Sequence, residues 1–352
     1  MEHIGPEKLK QDQAAAAPKP VNLALQGGGA HGAFAWGVLD RLLEEDGVAI
    51  EGISATSAGA MNAAVLAHGM TAGGRAGARE ALRLFWRRIS DAARLSPLQA
   101  SPWDRFTHNH GLENSPAFLW MDLLTRIASP YQFNQWNYNP LRDVLTSVVD
   151  FDRLRRESAV KLFLSATNVR SCKVRIFECN EVTADAVLAS ACLPFMFQAV
   201  EIGGEHYWDG GYMGNPAIFP LIYNCVSEDV VVVHINPINR PDVPTTATEI
   251  MNRINEISFN SSLMREMRAI AFVSKLMDDG KLVDATMKRM RMHAIEAEEV
   301  MQGLGVASKL NADWEFLTHL RDIGRRRADA WLEGNLAQVG RSSTVDVRGR
   351  YM

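Results

Sequence analysis

The chain has 352 residues, 47 % of them hydrophobic, enough for a sizeable buried core in one large domain or two ordinary ones. Lys and Arg total 37 against 41 Asp and Glu, a formal net charge of -4 that leaves no cationic footprint for nucleic acid. No secretory apolar run opens the sequence and no stretch reaches the roughly 18 apolar residues of a membrane span, so a cytoplasmic protein is expected, with any membrane contact peripheral.

Residues 1–20 read as a disordered Ala- and Pro-rich tail. Val21 to Gln26 is then a short β-prone run that stops at three glycines, and Phe34, Val38, Leu39, Leu42 and Leu43 recur behind it at helical spacing. Ile50 to Ala55 reads as a second strand, and Ala58 to Ala67 as a small-residue helix that must pack closely on a sheet. Further helix is predicted around Arg75 to Ile89. Between residues 90 and 139 Trp103, Phe106, Phe118, Trp120, Tyr131, Phe133, Trp136 and Tyr138 lie among Pro, Asn and Ser, which reads as an aromatic-rich insertion. Val160 to Thr167 and Val174 to Cys179 read as a strand pair, Asp185 to Ser190 as a short helix, and Asp229 to Ile235 as a central strand. The alternation predicts an α/β domain over residues 21–240. After it no strand pattern survives, and residues 241–352 read as a helical extension. There Ile250, Ile254, Ile257, Met264, Met267 and Ile270 form an apolar stripe on one long helix, expected to be buried.

Three places carry chemistry. Gly27-Gly28-Gly29-Ala30-His31-Gly32 lies between a strand and a helix, where free backbone N–H groups and the positive helix end can hold an anion. That anion is either a developing oxyanion or, because Gly27, Gly29 and Gly32 satisfy G-x-G-x-x-G, a dinucleotide pyrophosphate. The dinucleotide reading needs an acidic residue at the end of the next strand. That strand ends instead in Ala55-Thr56-Ser57, with Glu51 near its start. Ala55-Thr56-Ser57-Ala58-Gly59 is close to G-x-S-x-G, in which small residues let a sharp strand-to-helix turn expose the serine hydroxyl. A bare helix cap is the plainer reading of Ser57. Asp209-Gly210-Gly211 puts a carboxylate on a glycine turn, from which it can approach a serine hydroxyl as general base.

In this order and context the chain resembles the patatin-like phospholipase family, lipid acyl hydrolases that use a Ser–Asp dyad. The glycine loop matches Gly27 to Gly32, the G-T-S-A-G elbow matches Ala55 to Gly59, and the D-G-G matches Asp209 to Gly211. The family's small-residue and proline stretch resembles Ser190 to Phe197, and the match spans about residues 21 to 237. The resemblance implies a three-layer α/β/α fold with a central, mostly parallel sheet. It also implies a Ser57–Asp209 dyad acting through an acyl-serine, an oxyanion hole at Gly27, Gly28 and Gly29, a lipid or other acyl-ester substrate, and no cofactor or metal. His31, Gly32, Ala55, Gly59, Gly210 and Gly211 would support the site. Two positions depart from the pattern: Ala55 replaces the first elbow glycine, and His31 stands where the family usually has Arg or Lys. If Ala55 deformed the elbow, a catalytically inert lipid-binding protein would result.

Cys172, Cys179, Cys192 and Cys225 lack metal-ligand spacing and read as buried free thiols. His234 reads as a core residue, His108 and His110 as surface residues, and His206 as lying on the strand face opposite Asp209. The basic runs Arg325 to Arg327 and Lys288 to Arg291 read as solvated faces rather than contacts for anionic lipid.

Overall fold

The computed structural model describes residues 17–94, 96, 111–112, 115–282 and 287–352. Most of the N-terminal tail, together with Trp103, Phe106, His108 and His110, lies outside the described residues. β1 (Lys19–Leu25), β2 (Val48–Ala55), β3 (Lys161–Asn168), β4 (Val174–Glu178), β5 (Val200–Ile202), β6 (Glu205–Asp209), β7 (Asp229–Val233) and β8 (Arg291–Ile295) form one sheet. Its order is β5-β6-β3-β2-β1-β7-β8, with β4 also paired to β3. The run from β3 through β2, β1 and β7 to β8 is parallel, and β4, β5 and β6 add antiparallel pairs at the β3 side.

The helices that bear on the site are α1 (Gly32–Leu42), α2 (Ala58–Ala93), α3 (Pro116–Ile127), α4 (Ala184–Ser190), α5 (Ala247–Asp278), α6 (Trp314–Asn335) and α7 (Val347–Tyr351). They cover both faces of the sheet, because alternate strand residues are apolar on both sides. Leu23, Leu25, Ile53, Leu164, Val231 and Val233 enter a large core with α1, α2 and α6. Ala24, Phe163, Val230 and Val232 enter a second core with Leu263, Met267 and Ile270 of α5. This is a three-layer α/β/α fold with a mostly parallel sheet. It places the C-terminal ends of β1 and β2, where the glycine loop and Ser57 begin, side by side.

Several local expectations need correction. Residues after 240 are not all helical: β8 pairs in parallel with β7, Val231 opposite His293. Its polar residues hid it, because Arg291 and His293 both reach Asp229, with His293 Nε2 at 3.0 Å from Oδ1. The apolar stripe of α5 is buried only in its second half, at Met267 and Ile270; Ile250, Ile254 and Ile257 are exposed. Helix also enters the aromatic insertion as α3, which starts at Pro116 behind Ser115. The predicted helices before and after residue 70 run on as α2, broken by non-helical backbone at Gly73 and Gly74.

Candidate active site

β2 runs straight into α2 with only Thr56 and Ser57 between them. Ser57 takes φ 56° and ψ -123°, a conformation that costs a non-glycine residue about 1–3 kcal/mol unless its surroundings enforce it. They do so by hydrogen bonds from both sides. Thr56 N donates to Leu25 O at 3.2 Å and Thr56 Oγ1 to Gly214 O at 2.6 Å. Ser57 N donates to Ser190 Oγ at 2.9 Å, and Gly59 N to Thr56 O at 2.8 Å. Ser57 occupies the N-cap position of α2, yet its side chain makes no capping hydrogen bond, so the hydroxyl is not spent on the helix. Ala55 is a fully buried strand residue opposite Leu25 and Leu164, and the elbow forms with alanine there.

Asp209 closes β6 opposite Ala166. Its backbone N donates to Cys192 O at 2.8 Å, and its carbonyl accepts from Thr167 Oγ1 at 2.8 Å. The side chain is buried and accepts the Gly211 amide at 2.7 Å, and the Ser57 hydroxyl is near enough to favour its ionised form. Burial pushes the carboxyl up to about 7, against the opposing pull of the Gly211 amide, the Ser57 hydroxyl and the Lys309 ammonium. Burial, with the Asp209 charge adding to it, likewise pushes the Cys192 thiol and the Tyr212 phenol up to about 12, so both stay protonated around the carboxylate. Gly210 and Gly211 are buried beneath this turn, and Tyr212 packs on Phe259 of α5 with ring centroids 5.2 Å apart.

The glycine loop is held by side chains from two other loops. Gly27 N donates to Asn215 Oδ1 at 2.7 Å, and Gly27 O accepts from Asn236 Nδ2 at 2.7 Å. Gly27 therefore cannot serve as an oxyanion donor while that bond persists, which corrects its predicted place in the hole. Gly28 and Gly29 are more exposed, and their amides have no hydrogen-bond partner among the described residues. Gly29 sits at φ +59°, and a Cβ there would lie 2.4 Å from Lys309 O, so only glycine fits. His31 is held by the region around Lys309: its Nε2 meets Ser308 Oγ at 2.7 Å and its ring lies edge-on to Phe316. Burial, then the Lys309 and Arg240 charges, hold it well below the usual imidazole range, so it is neutral.

Residues 23–222 match the family model for patatin-like phospholipase. The chain belongs to that family. Among solved structures it is similar to VipD from Legionella pneumophila, with 16 % identity and a TM-score of 0.35 over 87 % of this chain and 67 % of that one. It is also similar to the heterodimeric ExoU–SpcU complex from the type III secretion system of Pseudomonas aeruginosa, with 16 % identity and a TM-score of 0.37 over 91 % of this chain. The patatin-like chain spans about half the length of that second protein, 52 %. No curated protein matches it significantly. Family membership supports lipid hydrolase activity.

Four residues of the patatin-like site were not singled out as functional from sequence. Ser190 ties the elbow to α4, Asn215 and Asn236 orient the glycine loop, and Lys309 brings a cation to it. Lys309 Nζ donates to Asn236 Oδ1 at 2.8 Å, so the charge arrives from almost the far end of the chain. Burial lowers the pKa of this ammonium; Glu256 and Asp209 oppose that effect, while Arg240 adds to it. His234 and His206 lie in other surroundings. His234 Nε2 meets Tyr351 OH at 2.6 Å, and burial pushes its pKa down to about 3. His206 lies 3.9 Å from Glu201 on the more open face of β6. Glu51, the acid near the start of β2, accepts the Val226 and Ser227 amides and Lys161 Nζ. No described helix is long and apolar enough to cross a membrane.

Proposed function

We propose that this protein is a lipid acyl hydrolase in which Ser57 is the nucleophile and Asp209 the general base. The carrying observation is the approach of a strained, partly exposed serine to a buried carboxylate with a pKa of about 7. Such a carboxylate is ionised above neutrality and basic enough to share a hydroxyl proton, which an ordinary aspartate is not. Asp209 takes the Ser57 proton as Oγ attacks the ester carbonyl, and the Gly28 and Gly29 amides stabilise the negative oxygen. The proton returns through Asp209 to the departing alkoxide, leaving an acyl-serine. Asp209 then takes a proton from a water that attacks the acyl carbonyl and returns it to Ser57 Oγ as the fatty acid leaves. The G-x-G-x-x-G alternative loses support because Gly27 is bound on both sides and Glu51 lies away from the loop.

The direct test is mass identification of the products after the pure protein is incubated with a total lipid extract. Free fatty acid and a deacylated lipid are expected, and both vanish with Ser57→Ala. Equal release by Ser57→Ala would remove the serine from the mechanism.

A further inference from the structure

The two basic runs singled out in the sequence are largely neutralised in the fold. Arg325 pairs with Asp40 and Glu44, Arg327 with Glu299, Arg289 with Asp278, and Arg291 with Glu228 and Asp229. Lys288 donates to the carbonyls of Ile222 and Cys225. A different group of cations is left without such partners. Arg265, Arg268 and Lys275 of α5 and Arg348 of α7 are all exposed, and none of their charged side-chain groups pairs with a carboxylate within 4.0 Å among the described residues, Asp346 Oδ1 being bound to the Arg348 backbone N at 3.1 Å.

These four line one groove of about 630 Å³ between α5 and α7, together with Ala269, Ala271, Phe272 and Met352. Positions 265, 268, 272 and 275 follow a 3-4-3 spacing, so they stand on one stripe of the helix. The groove is therefore both cationic and apolar: Phe272 and Met352 are 61 % and 66 % exposed between the charges. Four like charges gathered without counter-charges repel one another until an anion enters, in a protein whose net charge is itself negative. Another side of the same helix is already occupied. There Ser262 Oγ accepts the Asn215 amide at 3.1 Å, and the Glu266 carboxylate accepts the Ile218 and Phe219 amides at 2.8 Å each. One face of α5 thus supports the chain just after Asp209, and the other presents the groove.

We propose that this groove is the docking site for the phosphate groups of acidic phospholipids at a bilayer surface. Arg265, Arg268, Lys275 and Arg348 hold the headgroups, and Phe272 and Met352 enter the boundary with the acyl chains. The choice of a lipid over an acidic polypeptide rests on the lipid hydrolase reading together with the exposed Phe and Met between the cations. The groove's lining includes neither Ser57, Asp209 nor the glycine loop, and neither Arg268 nor Lys275 belongs to the hydrolytic machinery.

The test uses full-length Ser57→Ala, which binds without consuming lipid, and co-sedimentation with phosphatidylcholine vesicles prepared with or without phosphatidylglycerol. Binding is expected only to the acidic vesicles and should weaken with added salt. Adding Arg268→Gln and Lys275→Gln should weaken it roughly 30-fold, on the scale of about fivefold per removed charge. In the otherwise wild-type chain, the same double substitution should leave hydrolysis of a soluble short-chain ester unchanged. Equal binding to neutral vesicles, or undiminished binding by the double variant, would overturn the proposal. So would complete competition by inorganic phosphate at equal ionic strength, which would assign the groove to a small anion. Loss of soluble-ester hydrolysis in the wild type would instead count against the hydrolase reading, since vesicle binding is read separately.

Discussion

The turn at Ser57 and the turn at Asp209 bring a hydroxyl and a carboxylate near each other, but the first holds a backbone in a costly conformation and the second holds a charge in a costly place. Ser57 lies at φ 56° with its side chain partly open, and hydrogen bonds through Leu25, Ser190 and Gly214 enforce the bend around it. Asp209 has ordinary backbone angles, φ -47° and ψ 132°, but its carboxylate is buried. A strained backbone fixes where the hydroxyl is; a desolvated charge fixes how strongly it attracts a proton. The two costs answer to different substitutions and different solution conditions, so they can be separated.

The largest effects remove one side of the pair. Ser57→Ala and Asp209→Asn should each lower turnover by about 10⁴, the scale seen when a catalytic base is disabled with its geometry retained, as measured by fatty-acid release. Gly29→Ala should follow, with a loss of about 10²–10³ in kcat, because the new Cβ meets Lys309 O and displaces an oxyanion donor. Unchanged turnover in Gly29→Ala would move the oxyanion site off this loop.

The buried charge also has a stability signature whose sign follows from its raised pKa. In the folded chain the Asp209 carboxyl titrates near 7, and unfolded near 4, so between these values the folded state binds the extra proton and stability falls as pH rises. Asp209→Asn should therefore raise the melting temperature by on the order of a few degrees at pH 8, with the gain gone below about pH 4. The smallest effect belongs to Lys309. Its ammonium opposes the burial of Asp209, while Cys192 and Tyr212 beside that carboxylate stay neutral. Lys309→Met should move the acidic limb of the pH–rate profile upward from about 7, and Lys309→Arg should keep it in place.

The serine turn was legible from sequence because its requirements are local. A strand, a run of small residues and a helix must follow one another within a few positions, and Ala55 to Gly59 display that order. The central strands were legible for a similar reason, since Val230 to Val233 can be apolar on both faces only if both are covered. The segment around Tyr207 reads as extended, but β5 and its pairing with it were missed although Gly203-Gly204, both at positive φ, is a two-residue turn signal. β8 was missed because an ion pair and a histidine contact to Asp229 let polar residues occupy a buried strand. The polar frame of the site was illegible for a different reason. Asn215 and Asn236 fix Gly27 from about two hundred residues away, and Lys309 reaches Asn236 from beyond the whole matched region. No spacing in the chain encodes such contacts; the fold alone brings them together. The raised pKa of Asp209 was illegible on the same ground, since no local pattern around the D-G-G turn encodes the full burial of its carboxylate.

The most direct measurement of the central claim is the rate at which a fluorophosphonate probe labels the protein across pH, with the modified residue located by mass spectrometry. The account predicts labelling at Ser57, a rate that rises with pH through about 7 as Asp209 ionises, and near-complete loss of labelling in Asp209→Asn. Labelling of Asp209→Asn at the wild-type rate, or modification of the folded protein at a residue other than Ser57, would contradict it.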